Sequence, residues 1–216
     1  MDINIEFSMK KKILVFAPHT DDGEFGAGGS IAKFIDNGNT VYYAAFSLAE
    51  ESVPSPFPKD ILEKEVKAAT KVLGINHSNL LLYKYQVRHF AYHRQEILED
   101  LVQLKKQINP DLVLMPCLHD LHQDHSTIAI EGLRAFKETS ILGYEIPWNN
   151  MNFKTQCFIT FQEKHLNLKL NALDCYNSQK GKNYASKEFI RSLAVTRGTQ
   201  IGKKYAEVFE VIRWIL

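Results

Sequence analysis

Two short stretches hold most of the reactive side chains of this 216-residue chain. PHTDDGEFGAGG (18–29) joins a histidine, two adjacent aspartates and a glycine-rich run. PCLHDLHQDHS (116–126) sets three histidines and two aspartates within residues 119–125. Imidazole and carboxylate together suit zinc, which takes nitrogen and oxygen ligands at roughly 2.0–2.2 Å and keeps one position for water at a catalytic centre. His19 and Asp22 are close enough in sequence to grip one ion from a single turn. His119, His122 and His125 each offer a further ligand. Asp21 has no obvious structural duty, and a carboxylate beside a metal-activated water serves a hydrolase as general base.

Each residue alone also has a plainer reading. A loop histidine is more often solvated than ligating. Asp21 and Asp22 would serve as caps at the start of a helix, where the dipole favours anions. The glycines do not make a phosphate site: GAGG lacks dinucleotide-binding spacing, strand two ends at Phe46 and Ser47 without an acid, and no Gly-Lys-Ser/Thr follows. Asp21, Asp22 and Glu24 would also repel a phosphate. The conjunction of two acidic-histidine clusters, each after a strand, argues for a metal.

The flanking elements must bring these clusters together. KKILVFA (11–17) reads as a buried strand ended by Pro18. Phe25, Ile31, Phe34 and Ile35 recur at helical spacing over 24–37, and Gly38 is a stop. TVYYAAFS (40–47) completes a β-α-β unit. A proline-rich loop (52–60), a helix (60–74), a strand (79–85), a helix-like element (93–108) and the buried strand LVLMP (112–116) follow. Residues 126–136 read as a helix with Ser126 as its cap. The last third is less regular, with strands at 157–160 and 207–215 and a helix at 163–176. This alternation predicts one domain, 1–216, built on an open, mostly parallel α/β sheet. In such a sheet ligands bind beyond the carboxyl ends of the strands, near the point where strand order reverses.

Composition excludes little and agrees with this. Hydrophobic residues make up 45% and charged residues 24%, ordinary for a soluble domain. A net charge of +1 gives no reason to expect a nucleic acid or an anionic membrane as partner. No apolar run approaches the roughly 20 residues of a bilayer span. The opening MDINIEFSMKKKILVFA places three lysines before a short apolar run that stops at Pro18 with no small-residue cleavage site, so a signal peptide is not expected. Three dispersed cysteines suggest a reducing compartment, hence a cytoplasmic protein. The sequence leaves room for a homo-oligomer without specifying one.

PHTDDGEFGAGG and HQDH (122–125) together resemble the paired motifs of the PIG-L (LmbE-like) zinc-dependent N-deacetylases, [AP]HPDDE before a glycine-rich helix start and HP-D-H. The spacing between them, ILGYEIPWNN (141–150) and RGTQIGKKYAEVFEV (197–211) are similar too. The resemblance implies a three-layer, Rossmann-like α/β fold with helices on both faces of a mostly parallel sheet. It implies His19, Asp22 and His125 as Zn2+ ligands and Asp21 as general base. His122 would stabilise the oxyanion or act as acid, held in orientation by Asp124. The implied reaction hydrolyses an acetamide to acetate and a free amine, commonly on a small-molecule glucosamine-type conjugate. Thr20 departs from the usual proline. Gly23 departs from the usual glutamate, with Glu24 one place later, as in members acting on glucosaminyl-malate. That form gives Glu24 either a sugar-hydroxyl contact or a supporting role behind the site.

Substrate groups are harder to place. Arg88, in YQVRHF (85–90), follows the third strand, where it would reach a substrate anion or hydroxyl or simply be solvated. Trp148 would fill the core or stack on a sugar, with core packing the better reading. Arg191 and Arg197 suit structural ion pairs. The basic SQKGKNY (178–184) reads as a solvated turn or as a seat for an anionic part of a substrate. The rivals are a zinc amidohydrolase on another amide and a non-catalytic sugar-binding relative. Asp21 kept beside a full ligand set argues against the second.

Overall fold

The computed structural model describes residues 10–215. Seven strands form one sheet in the order β3-β2-β1-β4-β5-β7-β6. They are β1 (Lys12–Ala17), β2 (Thr40–Ala45), β3 (Leu80–Leu82), β4 (Leu112–Pro116), β5 (Ser140–Tyr144), β6 (Cys157–Thr160) and β7 (Ala206–Arg213). Strands β1 to β5 pair in parallel, and β7 runs antiparallel to both β5 and β6. The mostly parallel α/β sheet expected from the alternation is present. Two elements go beyond the sequence reading: 140–144 is a fully buried strand, and Lys187–Thr199 is a helix.

Among the described residues the α-helices are α1 (Asp22–Asp36), α2 (Ile61–Leu73), α3 (Arg94–Ile108), α4 (Gln123–Ala135), α5 (Glu163–Asp174) and α6 (Lys187–Thr199). The period-2 alternation of the strands divides them between two faces. Ile13, Val15, Val41 and Tyr43 enter a core with α1, α2, α5 and α6. Leu14, Phe16, Ala44 and Phe46 enter a second core with Ile97, Leu101 and Leu104 of α3 and Ile128 of α4. Helices therefore cover both faces, giving the three layers.

The chain runs β1, β2, β3 toward one edge and then returns to lay β4 on the other side of β1. Strand order reverses between β1 and β4, which pair in register Ile13↔Leu112 to Val15↔Leu114. The carboxyl ends of these neighbours lead into the two reactive stretches, so the topology supplies the crevice where such sheets bind ligands.

Candidate active site

After β1, residues 18–21 turn sharply into α1. The His19 backbone N–H donates to Asp22 Oδ2 at 2.7 Å, which fixes the turn. After β4, the chain enters α4 at Gln123, three residues before the expected cap Ser126. The cap is His122, whose Nδ1 accepts the Asp124 N–H at 3.2 Å. The helix begins earlier than hydrophobic spacing indicates because a side chain of the reactive stretch itself satisfies its first free N–H.

Two carboxylates fix the tautomers of two histidines. His19 Nε2 meets Asp124 Oδ2 at 3.0 Å, and His125 Nδ1 meets Asp120 Oδ2 at 2.9 Å. A carboxylate accepts, so each of these ring nitrogens carries the hydrogen and the other presents a lone pair. The lone-pair nitrogens, His19 Nδ1 and His125 Nε2, lie 3.4 Å apart. Asp22 Oδ2 lies 3.2 Å from each. Three acceptors converge with nothing between them to donate. Tetrahedral bonds of about 2.0–2.1 Å require donor-atom separations of about 3.3–3.4 Å, so the triangle has the size for zinc.

The electrostatics show how strongly the surrounding carboxylates favour positive charge at the centre: without an ion, a proton on each ring takes that place. Burial works against a charged His19 ring, but Asp22 and Asp124 outweigh it and hold its pKa up at about 9. For His125, burial is likewise outweighed by Asp22 and Asp120, to about 10. Burial would raise Asp22, yet His125 and His19 hold it far below the usual carboxylate range. With both imidazoles neutral, Asp22, Asp120 and Asp124 leave an excess of negative charge around the triangle, which a divalent cation offsets.

His122 also lies in this cluster, with a ring nitrogen within 4.8 Å of those of His19 and His125. Its Nδ1 accepts the capping N–H, which leaves the ring hydrogen on Nε2, whereas Asp22 Oδ2 faces both lone-pair nitrogens. Burial is the largest cause pushing the His122 pKa down, to about 4, so its ring is neutral. His119, the remaining candidate, is exposed.

Asp21 is half-buried and precedes α1 without capping it. Burial and the charge of Asp22 push its pKa up to about 6. Its side chain lines a cleft of about 300 Å3 walled by α5, α6 and the segment between them.

Two expectations, for Asp124 and Glu24, are corrected by these placements, and Arg88 has the exposed side chain of its plainer reading. The Asp124 carboxylate does not orient His122: it binds His19 Nε2, the Arg88 N–H at 2.6 Å and the Phe90 N–H at 3.3 Å. Glu24 contacts no open space. It is fully buried, with its oxygens taken by the hydroxyls of Tyr43 and Tyr176, which fits the supporting role and not contact with a sugar hydroxyl. Arg88 is tied to the site first through its backbone, at φ +70°, while its exposed side chain reaches Ser52 Oγ at 3.3 Å. Trp148 packs between Phe25 and Tyr184, and Arg197 and Arg191 pair with Glu145 and Glu163.

Sequence reasoning missed Asp120, Tyr43 and Tyr176. Asp120 stands in the histidine-rich stretch, but its partner five residues on is set by the turn into α4 and not by any repeat. The tyrosines come from β2 and from beyond α5, where nothing in the sequence ties them to residue 24.

The fold and the three-acceptor centre define an α/β protein of the switch-point kind with a centre suited to a divalent metal. Residues 14–136 match the PIG-L family model, described as GlcNAc-PI de-N-acetylase, and the chain belongs to that family of deacetylases. It is 31% identical to the uncharacterized deacetylase YaiS of Escherichia coli over 78% of this chain and 92% of that one. It is 25% identical to the diacetylchitobiose deacetylase of Thermococcus kodakarensis, over 95% of this chain and 84% of that one. Among solved structures, the N,N'-diacetylchitobiose deacetylase of Pyrococcus horikoshii superposes with a TM-score of 0.79 at 22% identity, covering 98% of this chain and 87% of that chain.

Proposed function

We propose that this protein is a zinc-dependent N-deacetylase that releases acetate and a free amine from an N-acetylated amino sugar or N-acetylglucosamine conjugate. One observation carries the reading: Nδ1 of His19, Nε2 of His125 and Oδ2 of Asp22 face one another in a triangle of ligand atoms, with the uncommitted carboxylate of the adjacent Asp21. Family membership and the diacetylchitobiose deacetylase relative support the substrate class.

His19, Asp22 and His125 would hold the metal, which when bound supplies Lewis acidity toward an acetamide carbonyl and an attacking water. Asp124 and Asp120 lock the two rings that face it, as carboxylates behind ligating histidines do. Asp21 accepts the proton of the water at its carboxylate. A pKa raised to about 6 leaves it ionised at neutral pH while making it a stronger base than an ordinary aspartate. With His122 Nδ1 engaged, its hydrogen sits on Nε2, a neutral donor to the carbonyl oxygen as negative charge builds there.

Metal analysis of the purified protein should give about one zinc per chain, and Asp21→Asn should keep it. The same substitution should lower kcat on N-acetylglucosamine conjugates by about 10²–10⁴-fold, measured as acetate release. Near-normal turnover in Asp21→Asn would remove the base assignment. Absence of bound metal from the active wild-type protein would remove the ligand set.

A further inference from the structure

The cleft beside Asp21 has an unusual wall. It is lined by Tyr176 and Phe25, and one side is the segment between α5 and α6, with Lys180 and Lys182, followed by Lys187 at the start of α6. That segment is built rather than loose. Ser178 donates from N and Oγ to the two carboxylate oxygens of Glu65 at 2.9 and 2.6 Å, both residues buried. Tyr184 stacks on Trp148 with ring centroids 4.1 Å apart, and Ser186 caps α6. Between these anchors the chain turns at Gly181, at φ +97°, with open space where a Cβ would stand. The two anchors fix a Lys-Gly-Lys tip at the cleft.

The charges there do not cancel. Lys187 and Lys180 lie 3.1 and 3.9 Å from Asp174. Lys182 meets the Gln179 side-chain oxygen and the Tyr184 ring, and among the described residues it has no carboxylate partner. Three ammonium groups face the two acids of the cleft, Asp174 and Asp21, and the charge of Lys182 acts on Asp21, so the cleft keeps a positive excess.

We propose that this tip is a subsite for an anionic group, a carboxylate or a phosphate, on the part of the substrate that departs with the free amine. This rests on the deacetylase reading: an acetamide held beside Asp21 sends the remainder of its molecule along the cleft. Exposed lysines add binding energy without touching the reacting atoms, so their contribution lies in KM and is screened by salt.

The test compares methyl N-acetylglucosaminide, N-acetylglucosamine 1-phosphate and the carboxymethyl N-acetylglucosaminide as substrates. They are run on the wild type, on Lys180→Gln/Lys187→Gln, which spares Lys182 because its charge acts on Asp21, and on Lys64→Gln as a control on α2. We expect an anionic compound to be preferred, with the arms separating phosphate from carboxylate. The double variant should raise its KM by about tenfold, leave kcat and the neutral compound unchanged, and lose its effect at high salt. Calorimetric binding of N-acetylglucosamine 1-phosphate to the same proteins reads the subsite without turnover. Hydrolysis of the neutral compound with no anionic preference and no lysine effect overturns the subsite and leaves the deacetylase standing. Lysine-dependent binding without hydrolysis of any compound does the reverse. Neither hydrolysis nor lysine-dependent binding overturns both.

Discussion

At His19 and His125 the ring hydrogens are claimed by Asp124 and Asp120, and that bonding decides which atoms face the centre. The consequence can be tested one side chain at a time. Asp120→Asn should weaken zinc binding by about 10–100-fold, because the amide no longer holds the His125 tautomer as a carboxylate does. His125→Ala should lose the metal. His122→Ala should keep about one zinc per chain and lose turnover, because in the proposed mechanism that ring donates to the oxyanion and is not a ligand. Metal content after dialysis separates these outcomes. Loss of zinc from His122→Ala with retention in Asp22→Asn would move the third ligand from Asp22 to His122.

At the scale of elements, α1 docks on β2 through residues that explain the shifted glutamate. A Cβ on Gly23 would lie 2.5 Å from the Tyr43 ring, so the ring occupies the space a side chain at 23 would need. The Tyr43 hydroxyl accepts the Gly23 N–H at 3.1 Å and also meets the Thr20 carbonyl and Glu24. Tyr176 closes the group, reaching the Thr20 carbonyl at 2.8 Å and Glu24 Oε1 at 3.0 Å. The glutamate thus works from position 24, behind Thr20 and the neighbouring Asp21. Gly23→Ala should destabilise the fold by about 1–3 kcal/mol in urea unfolding, the usual cost of overpacking.

The same network has a pH signature. Burial pushes the Glu24 pKa up from 4.5 to about 8, against the hydrogen bonds of the tyrosines. Between these values the unfolded chain is ionised at Glu24 while the folded chain keeps the proton. Unfolding therefore releases a proton, and this residue's contribution makes stability fall as pH rises from about 4.5 to 8. Glu24→Gln has no such proton to lose, so its stability relative to wild type should improve across that window in paired urea titrations. A difference flat with pH would mean that Glu24 ionises normally in the folded protein.

For the whole molecule, the elements beyond the family match at 14–136 are bound into the site-bearing half. Lys169 of α5 and Glu207 of β7 form a buried pair at 2.6 Å, and the Lys169 ammonium also donates to the Phe25 carbonyl at 2.7 Å. Glu207 accepts from Gly29 N at 2.9 Å and from Ser30 N at 2.7 Å, both in α1. Lys169→Met breaks this pair and leaves Glu207 buried with part of its partners, which should cost about 3 kcal/mol, seen as a lowered Tm. A cost below about 1 kcal/mol would place the pair among exposed ion pairs instead. Among the described residues, no helix is long and apolar enough to cross a membrane.

The sequence by itself determined the alternation that makes a parallel sheet, because apolar runs of strand length and amphipathic runs of helix length are local patterns. It also narrowed the centre to two clusters by residue type, His19, Asp21 and Asp22 in one and His119, His122 and His125 in the other, and the resemblance to the family motifs chose His122 and His125 among the last three. It did not determine β5 or α6: the one is buried on all sides without alternation, and the other owes its position to packing beside β7. Nor did it determine who holds whom. Asp124 lies two residues from His122 in sequence yet binds His19, 105 residues away, because the order reversal between β1 and β4 brings their ends together. Glu24 looks like a substrate contact in a motif and becomes a buried support once Tyr43 and Tyr176 close over it. Ligand types are written locally, while their tautomers, partners and burial depend on strand order, and only the tertiary structure decides that.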